Sequence, residues 1–183
     1  MKKIVFVTGN KNKAEALQRY LPEIKIMHKK LELDEIQSLD LEEIVEHKAR
    51  QAYGVIKTPV LVEDVSLKYH ALGNLPGPFI RWFEGELTNA GLCRLINHYK
   101  KDRSATGEAV YGYFDGNNYK SFSGKVKGRI ASFPRGKNGF GWDPIFIPGG
   151  STKTLAEMTM DEKDRISMRR IAADKIKNFL TQC

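Results

Sequence analysis

The 183-residue chain has only two cysteines, Cys93 and Cys183, which is too few for a disulfide framework, and no CxxC pair that would suggest a thiolate metal site. Long apolar runs are absent as well. The "IVFV" near the start is too short for a secretory leader, and no stretch approaches membrane-spanning length. There is no internal repeat, no low-complexity tract and no long basic tail. The nucleotide fingerprints GxxxxGK[ST] and GxGxxG do not occur either, which removes the P-loop and the dinucleotide fold as explanations. These absences lead us to expect a soluble protein of a reducing cytoplasm, with no membrane partner.

What is present begins with charge. Lys and Arg number 30 and Asp and Glu 22, a net charge of +8 that suits a polyanionic partner, either a nucleotide or nucleic acid. The cations are scattered, with small clusters at Lys29-Lys30, Lys100-Lys101 and Arg169-Arg170. Such scatter is typical of a solvated surface and does not favour nucleic acid. The length suits one domain, or two closely packed lobes.

The stretch "VTGNKNKAE" places a polar turn between the apolar run "KKIVFV" and a helical pattern in which Ala14, Leu17 and Leu21 recur until Pro22. A helix start with unpaired backbone N–H groups, flanked by Lys11 and Lys13, favours an anion such as phosphate. "IKIMH" reads as a second strand and "LELDEIQS" as an extended acidic segment. Asp40 and Glu43 resemble a capping box for a helix running to about Ile56. "PVLVED" reads as a buried strand ending in two carboxylates, and "GNLPGPF" as a loop. The short aromatic segment "IRWF" precedes a helix from about Thr88 to Tyr99. The polar turn "DGNN" joins two period-2 segments into a long hairpin, with Phe122, Val126 and Ile130 on one face and Gly124 and Gly128 marking bends or bulges. After the loop "PRGKNGFGWDP" and the short strand "IFI", helical segments run from about Leu155 to Leu180. Early alternation of strand and helix followed by a hairpin predicts an α/β protein with a mixed sheet.

Three features do not fit a bland fold. Wound at about 100° per residue, Leu41, Ile44, Val45, Ala49, Ala52, Val55 and Ile56 form one apolar stripe, and Lys48 lies in its middle. A lysine there must snorkel, pair with an acid or reach a ligand. Glu63 and Asp64 follow an apolar strand and face opposite sides of it, so only one can serve a given site. A carboxylate at a strand's carboxyl end is placed to hold a metal or activate water, and Glu35 could supply a second oxygen ligand for Mg2+. Finally, "FGWDP" sets aromatic faces beside Asp143, where a purine could stack and offer a hydrogen bond.

Five motifs in order then resemble the inosine triphosphate pyrophosphatases, a family that hydrolyses non-canonical purine nucleoside triphosphates. They are "TGNKNKAE", "VEDVSL", "ALGNLPGPFIRWF", "FGWDPIF" and "LAEMTMDEKDRIS". The resemblance spans nearly the whole chain and implies one pyrophosphatase domain over 1–183. The implied fold is an elongated α/β structure with a long mixed sheet flanked by helices and two lobes around a nucleotide cleft, usually in a homodimer. The implied reaction is Mg2+-dependent cleavage between the α and β phosphates of ITP, dITP or XTP, giving the monophosphate and pyrophosphate. By the same resemblance Thr8, Gly9, Asn10 and Lys13 belong to the triphosphate loop. Glu35 is a metal ligand, and Asp64 is both the proton acceptor and a metal ligand. Lys48, Val65 and Arg81 are substrate-binding, and Phe140, Gly141, Trp142, Asp143, Lys163 and Arg169 contact the nucleotide. Where the family has Ser-His-Arg, this chain has Ser167-Met168-Arg169, so the thioether of Met168 replaces a hydrogen-bond donor and base selection should loosen. Two rivals remain: a Maf-like pyrophosphatase acting on other nucleotides, and a basic nucleic-acid-binding protein.

Overall fold

The computed structural model describes residues 3–97 and 102–182. Tyr99, Lys100, Lys101 and Cys183, which figured in the sequence reading, lie outside them. The chain opens as expected with strand β1 (Lys3–Val7), helix α1 (Lys11–Tyr20) and strand β2 (Lys25–Lys29). Asn10 caps α1 by accepting from the backbone N–H of Lys13, and Ala14, Ala16, Leu17 and Tyr20 form its buried face.

Helix α2 spans Leu41–Ile56. The expected capping box at its start does not form. Asp40 accepts from Glu42 N at 2.9 Å, while the Glu43 carboxylate accepts from the Ser38 hydroxyl at 2.7 Å, so an upstream side chain competes for the partner that the box requires. The stripe holds from Leu41 to Ala52 with Lys48 buried within it, but Val55 is 62% exposed near the helix end.

Strand β3 runs over Val60–Tyr69, continuing well past the expected end at Asp64. Asp64 is therefore a mid-strand residue and does not end its strand. The alternation of its neighbours hid this, because buried Ser66, Leu67 and Tyr69 continue the strand beyond the carboxylates. β3 pairs in parallel with β1 only from Val60 to Val62, opposite Val5 to Val7. Glu63 and Asp64 thus fall just beyond the carboxyl end of β1, where the loop Thr8–Asn10 begins.

Strand β4 (Pro76–Gly77) pairs antiparallel with β3. Helix α3 (Ile80–Leu95) takes in "IRWF", which the sequence reading had left outside the helix. Thr88, the expected helix start, has φ 58° and ψ 171° and breaks α3 into two helical pieces. Strands β5 (Ser104–Phe114) and β6 (Tyr119–Ile130) form the predicted hairpin. Its turn is fixed by Asp115, which accepts from the N–H groups of Asn117 and Asn118. Gly128 proves to be a point of close approach: a Cβ there would lie 2.3 Å from the carbonyl oxygen of Ile147 in strand β7 (Phe146–Pro148). Helices α4 (Met160–Ile166) and α5 (Met168–Gln182) close the described chain, α4 starting with a Thr159/Glu162 capping box.

The sheet is mixed, with strand order β2-β1-β3-β5-β6-β7 and β4 beside β3. The chain forms two compact units. The first comprises Met1–Asp64, Ala109–Gly124 and Arg169–Cys183, and the second Val65–Glu108 and Lys125–Met168. In the first, Ile4, Phe6, Leu17, Leu21, Leu61 and Tyr111 belong to one core cluster, while Val45, Ala49, Val60 and Val62 belong to another, packed under α2. In the second, Leu67, Leu92, Ile130, Ile145 and Phe146 are fully buried.

Candidate active site

In the first unit, α2 delivers Lys48 from an apolar face to two acids. Its ammonium donates to Glu35 Oε1 and to Asp64 Oδ2, both at 2.7 Å. Lys48 is only 8% exposed. Burial alone would push its pKa down, but Asp64 and Glu35 outweigh it and hold the ammonium above its ordinary value. Lys48 therefore pairs with acids and does not snorkel. Glu35 is exposed on the segment between β2 and α2, and Asp64 is half-buried.

On the other face of β3, Glu63 is the centre of a second group of charges. Its Oε1 accepts from Arg169 Nε at 3.0 Å and lies 3.3 Å from Lys13 Nζ. Burial opposes ionisation of this fully enclosed carboxyl, yet Arg169 and Lys13 prevail and hold it below the ordinary range. Burial and the Glu63 charge push the Tyr111 phenol well up, so Tyr111 stays neutral beside the carboxylate. Alternation along β3 places the two acids on opposite faces as expected. Glu63, read from sequence only as the acid facing away from the site, is the counter-ion of two expected substrate residues. Its signal was the pairing of a charged residue with a fully apolar strand, "VLVED", where only a partnered acid is tolerated.

The loop Thr8–Asn10, expected to hold the triphosphate, is partly self-satisfied. Thr8 Oγ1 accepts from Asn10 N at 3.1 Å, and Gly9 is exposed. Thr8 is anchored from both sides: its N–H donates to the Lys29 carbonyl, and its own carbonyl meets His28 Nε2 at 2.8 Å.

In the second unit, the loop Phe140–Asp143 has its own ion pair. Asp143 Oδ2 accepts from Phe140 N at 2.8 Å and from the Lys163 ammonium, which also lies 5.3 Å from the centre of the Phe140 ring. Asp143 is 3% exposed, and Trp142 packs edge-on against Phe146. Of the two aromatic residues expected to meet a base, Trp142 is buried and Phe140 is half-buried. Met168 is buried, and its Cε and the Trp142 ring both crowd Gly107, where a Cβ would stand 3.1 Å and 2.9 Å from them. Arg81 is exposed in the first turn of α3, and Val65 is half-buried on β3 beside Asp64.

Among the described residues no group of three or more His, Cys, Asp or Glu is placed to hold a metal ion. The donor set that does exist is the pair Glu35 and Asp64, converging on one cationic point. Two carboxylates, completed by phosphate oxygens and water, are the donors Mg2+ takes in nucleotide sites, so these residues fit that ion. No helix among the described residues is long and apolar enough to cross a membrane.

Residues 4–179 match the Ham1 family. The chain is 43% identical over 183 residues to an inosine triphosphate pyrophosphatase of Fusarium vanettenii, covering 98% of this chain and 97% of that one. Identity to the inosine triphosphate pyrophosphatase of Schizosaccharomyces pombe is 38%, with 98% and 96% covered. Among solved structures, a HAM1 protein from Coxiella burnetii superposes with a TM-score of 0.88 at 29% identity over 100% of both chains. A nucleoside-triphosphatase, or dITP/XTP pyrophosphatase, from Mycobacterium abscessus gives 0.75 at 26% identity, with 95% and 98% covered.

Proposed function

The chain belongs to the Ham1 family, and from that premise we propose that it hydrolyses non-canonical purine nucleoside triphosphates, ITP, dITP and XTP, to the monophosphate and pyrophosphate. The observation that carries this reading is Lys48, drawn out of an apolar helix face to hold Glu35 and Asp64 at 2.7 Å each. A buried cation fixing two carboxylates is costly unless the carboxylates have a task.

Asp64 is the acceptor for the proton of the attacking water, and Lys48, donating to its Oδ2, orients it. Lys13 takes the charge that develops on the leaving pyrophosphate, together with the backbone at Thr8, Gly9 and Asn10 and the cation of Arg81. Mg2+ held by Glu35 and Asp64 would neutralise phosphate charge. The base is handled by Phe140 through stacking, by Arg169 at the 6-keto oxygen, and by the loop that Lys163 and Asp143 brace. Met168 and Val65 act by packing, Met168 through the position of Trp142. No side chain needs to form a covalent intermediate.

We further propose a homodimer working in the cytoplasm. Trp82 on α3 is 69% exposed, and a large aromatic residue in water is what an interface covers. Sedimentation at several concentrations tests this, a monomer throughout being the contrary result.

The reaction is tested by incubating the protein with Mg2+ and a panel of triphosphates and identifying the released phosphate. Pyrophosphate from ITP, dITP or XTP is expected. Orthophosphate alone would overturn the assignment.

A further inference from the structure

The purine loop has a neighbour that the function above leaves unused. Glu84 lies in the first helical piece of α3, and its Oε2 is 3.7 Å from where a Cβ would stand on Gly141. Asn89, just past the break at Thr88, donates from Nδ2 to the Gly141 carbonyl at 3.0 Å. Its Oδ1 is buried without a hydrogen-bond partner among the described residues. Two polar side chains of α3 therefore flank one position of the loop.

Glu84 is anomalous in its surroundings. It is half-buried, and among the described residues it has neither an ion pair nor a side-chain hydrogen bond. Burial and the nearby Asp143 carboxylate both push its pKa up. An unpartnered acid held beside another acid is an arrangement that folding alone would disfavour, and one that a ligand with N–H donors would relieve. Asp143 already has partners of its own: its Oδ2 takes the Phe140 N–H and the Lys163 ammonium. Asp143 braces the loop, while Glu84 is the carboxylate beside it that no side chain among the described residues engages.

We propose that Glu84 determines base specificity by accepting a hydrogen bond from the N1–H that hypoxanthine, xanthine and guanine carry and adenine lacks. This rests on the reading of Phe140–Asp143 as the base loop. Adenine presents a lone pair at N1, which a carboxylate repels, so the same group rewards one class of purine and penalises the other. Guanine offers its 2-amino group beside N1–H and can engage both carboxylate oxygens, so Glu84 does not reject it.

The test compares kcat/KM for ITP, GTP and ATP in the parent, Glu84→Gln and Glu84→Ala, with melting temperatures alongside. Gln can turn a donor toward adenine N1, and Ala removes the acceptor altogether. The ITP-to-ATP ratio should fall by about tenfold or more in both, since a hydrogen bond to a charged group is lost, and GTP should lose at least as much as ITP. Both variants should melt at or above the parent temperature, because an unpaired acid has been removed. If the parent releases pyrophosphate and both ratios stay within about twofold of it, less than the loss of one hydrogen bond, this inference fails and the pyrophosphatase reading stands. If the parent releases none from any triphosphate, both fall together.

Discussion

Glu63 and Asp64 are adjacent, chemically alike and opposite in consequence. Asp64 accepts from Lys48 in a half-exposed setting. Glu63 is enclosed and balances both Arg169 and Lys13. Asp64→Asn should therefore lower kcat by about 100-fold or more, the range for removing a general base, while ITP still binds in an equilibrium titration. Survival of near-parent kcat would remove Asp64 from proton transfer. Glu63→Gln leaves two cations facing a neutral amide, and losing one member of a buried charge group costs about 3 kcal/mol. Denaturant unfolding should show that loss, accompanied by a rise in KM as Lys13 loses its anchor. The sign of the pH effect follows from the lowered carboxyl. Glu63 contributes stability fully above its ordinary value of 4.5 and loses it as the pH falls through the lower, folded-state value. The parent should thus weaken in acid below about pH 4.5, and Glu63→Gln should show a flatter acid limb over the same window. An unchanged acid limb would mean that Glu63 is not the group responsible.

At the scale of elements, the sequence was most legible where one period governs a whole segment. The extent of α2 was readable because the Asp40 cap, the apolar stripe and Pro59 agree, although the capping box and the stripe's end at Val55 were not, and Lys48 stood out because it violates that stripe. β3 and α3 were misjudged for a common reason. Charged or aromatic residues suggested an end to each element, yet Glu63 is neutralised by partners distant in sequence, and "IRWF" continues a helix whose break at Thr88 comes later. Partners separated by 106 positions leave no local trace. Gly107 on β5 was invisible for a related reason, since only packing shows why a side chain is unwelcome there. Gly107→Ala would press a Cβ against Trp142 Cη2 at 2.9 Å and Met168 Cε at 3.1 Å. Overpacking of this kind costs about 1–3 kcal/mol, so the melting temperature should drop. Because Trp142 belongs to the loop whose Phe140 is assigned to the base, the preference among ITP, XTP and ATP should shift as well. A lower melting temperature with an unaltered preference would confine Gly107 and Met168 to packing.

For the whole molecule, the net charge of +8 cannot by itself separate a triphosphate from a nucleic acid. The distribution of pairing can. Lys13, Lys48, Lys163 and Arg169 are each largely buried and matched to a named carboxylate, so these cations are arranged one by one. They do not form the exposed basic stripe that tracks a phosphodiester backbone. The field of the remaining surface charge acts on any polyanion at a distance, while short contacts inside the site are shielded from salt. Raising the salt from about 50 mM to about 500 mM shortens the screening length severalfold. kcat/KM for ITP should then fall several-fold through slower capture of substrate, with kcat nearly constant because the paired residues stay in place. A nucleic-acid-binding protein would behave differently: its affinity for a duplex would fall by orders of magnitude over that range, and Asp64→Asn would leave that affinity intact. Measuring both ligands across the same salt series separates the two. A kcat that falls in step with kcat/KM would show that surface charge reaches the chemical step, contrary to the shielding argued from the buried pairs.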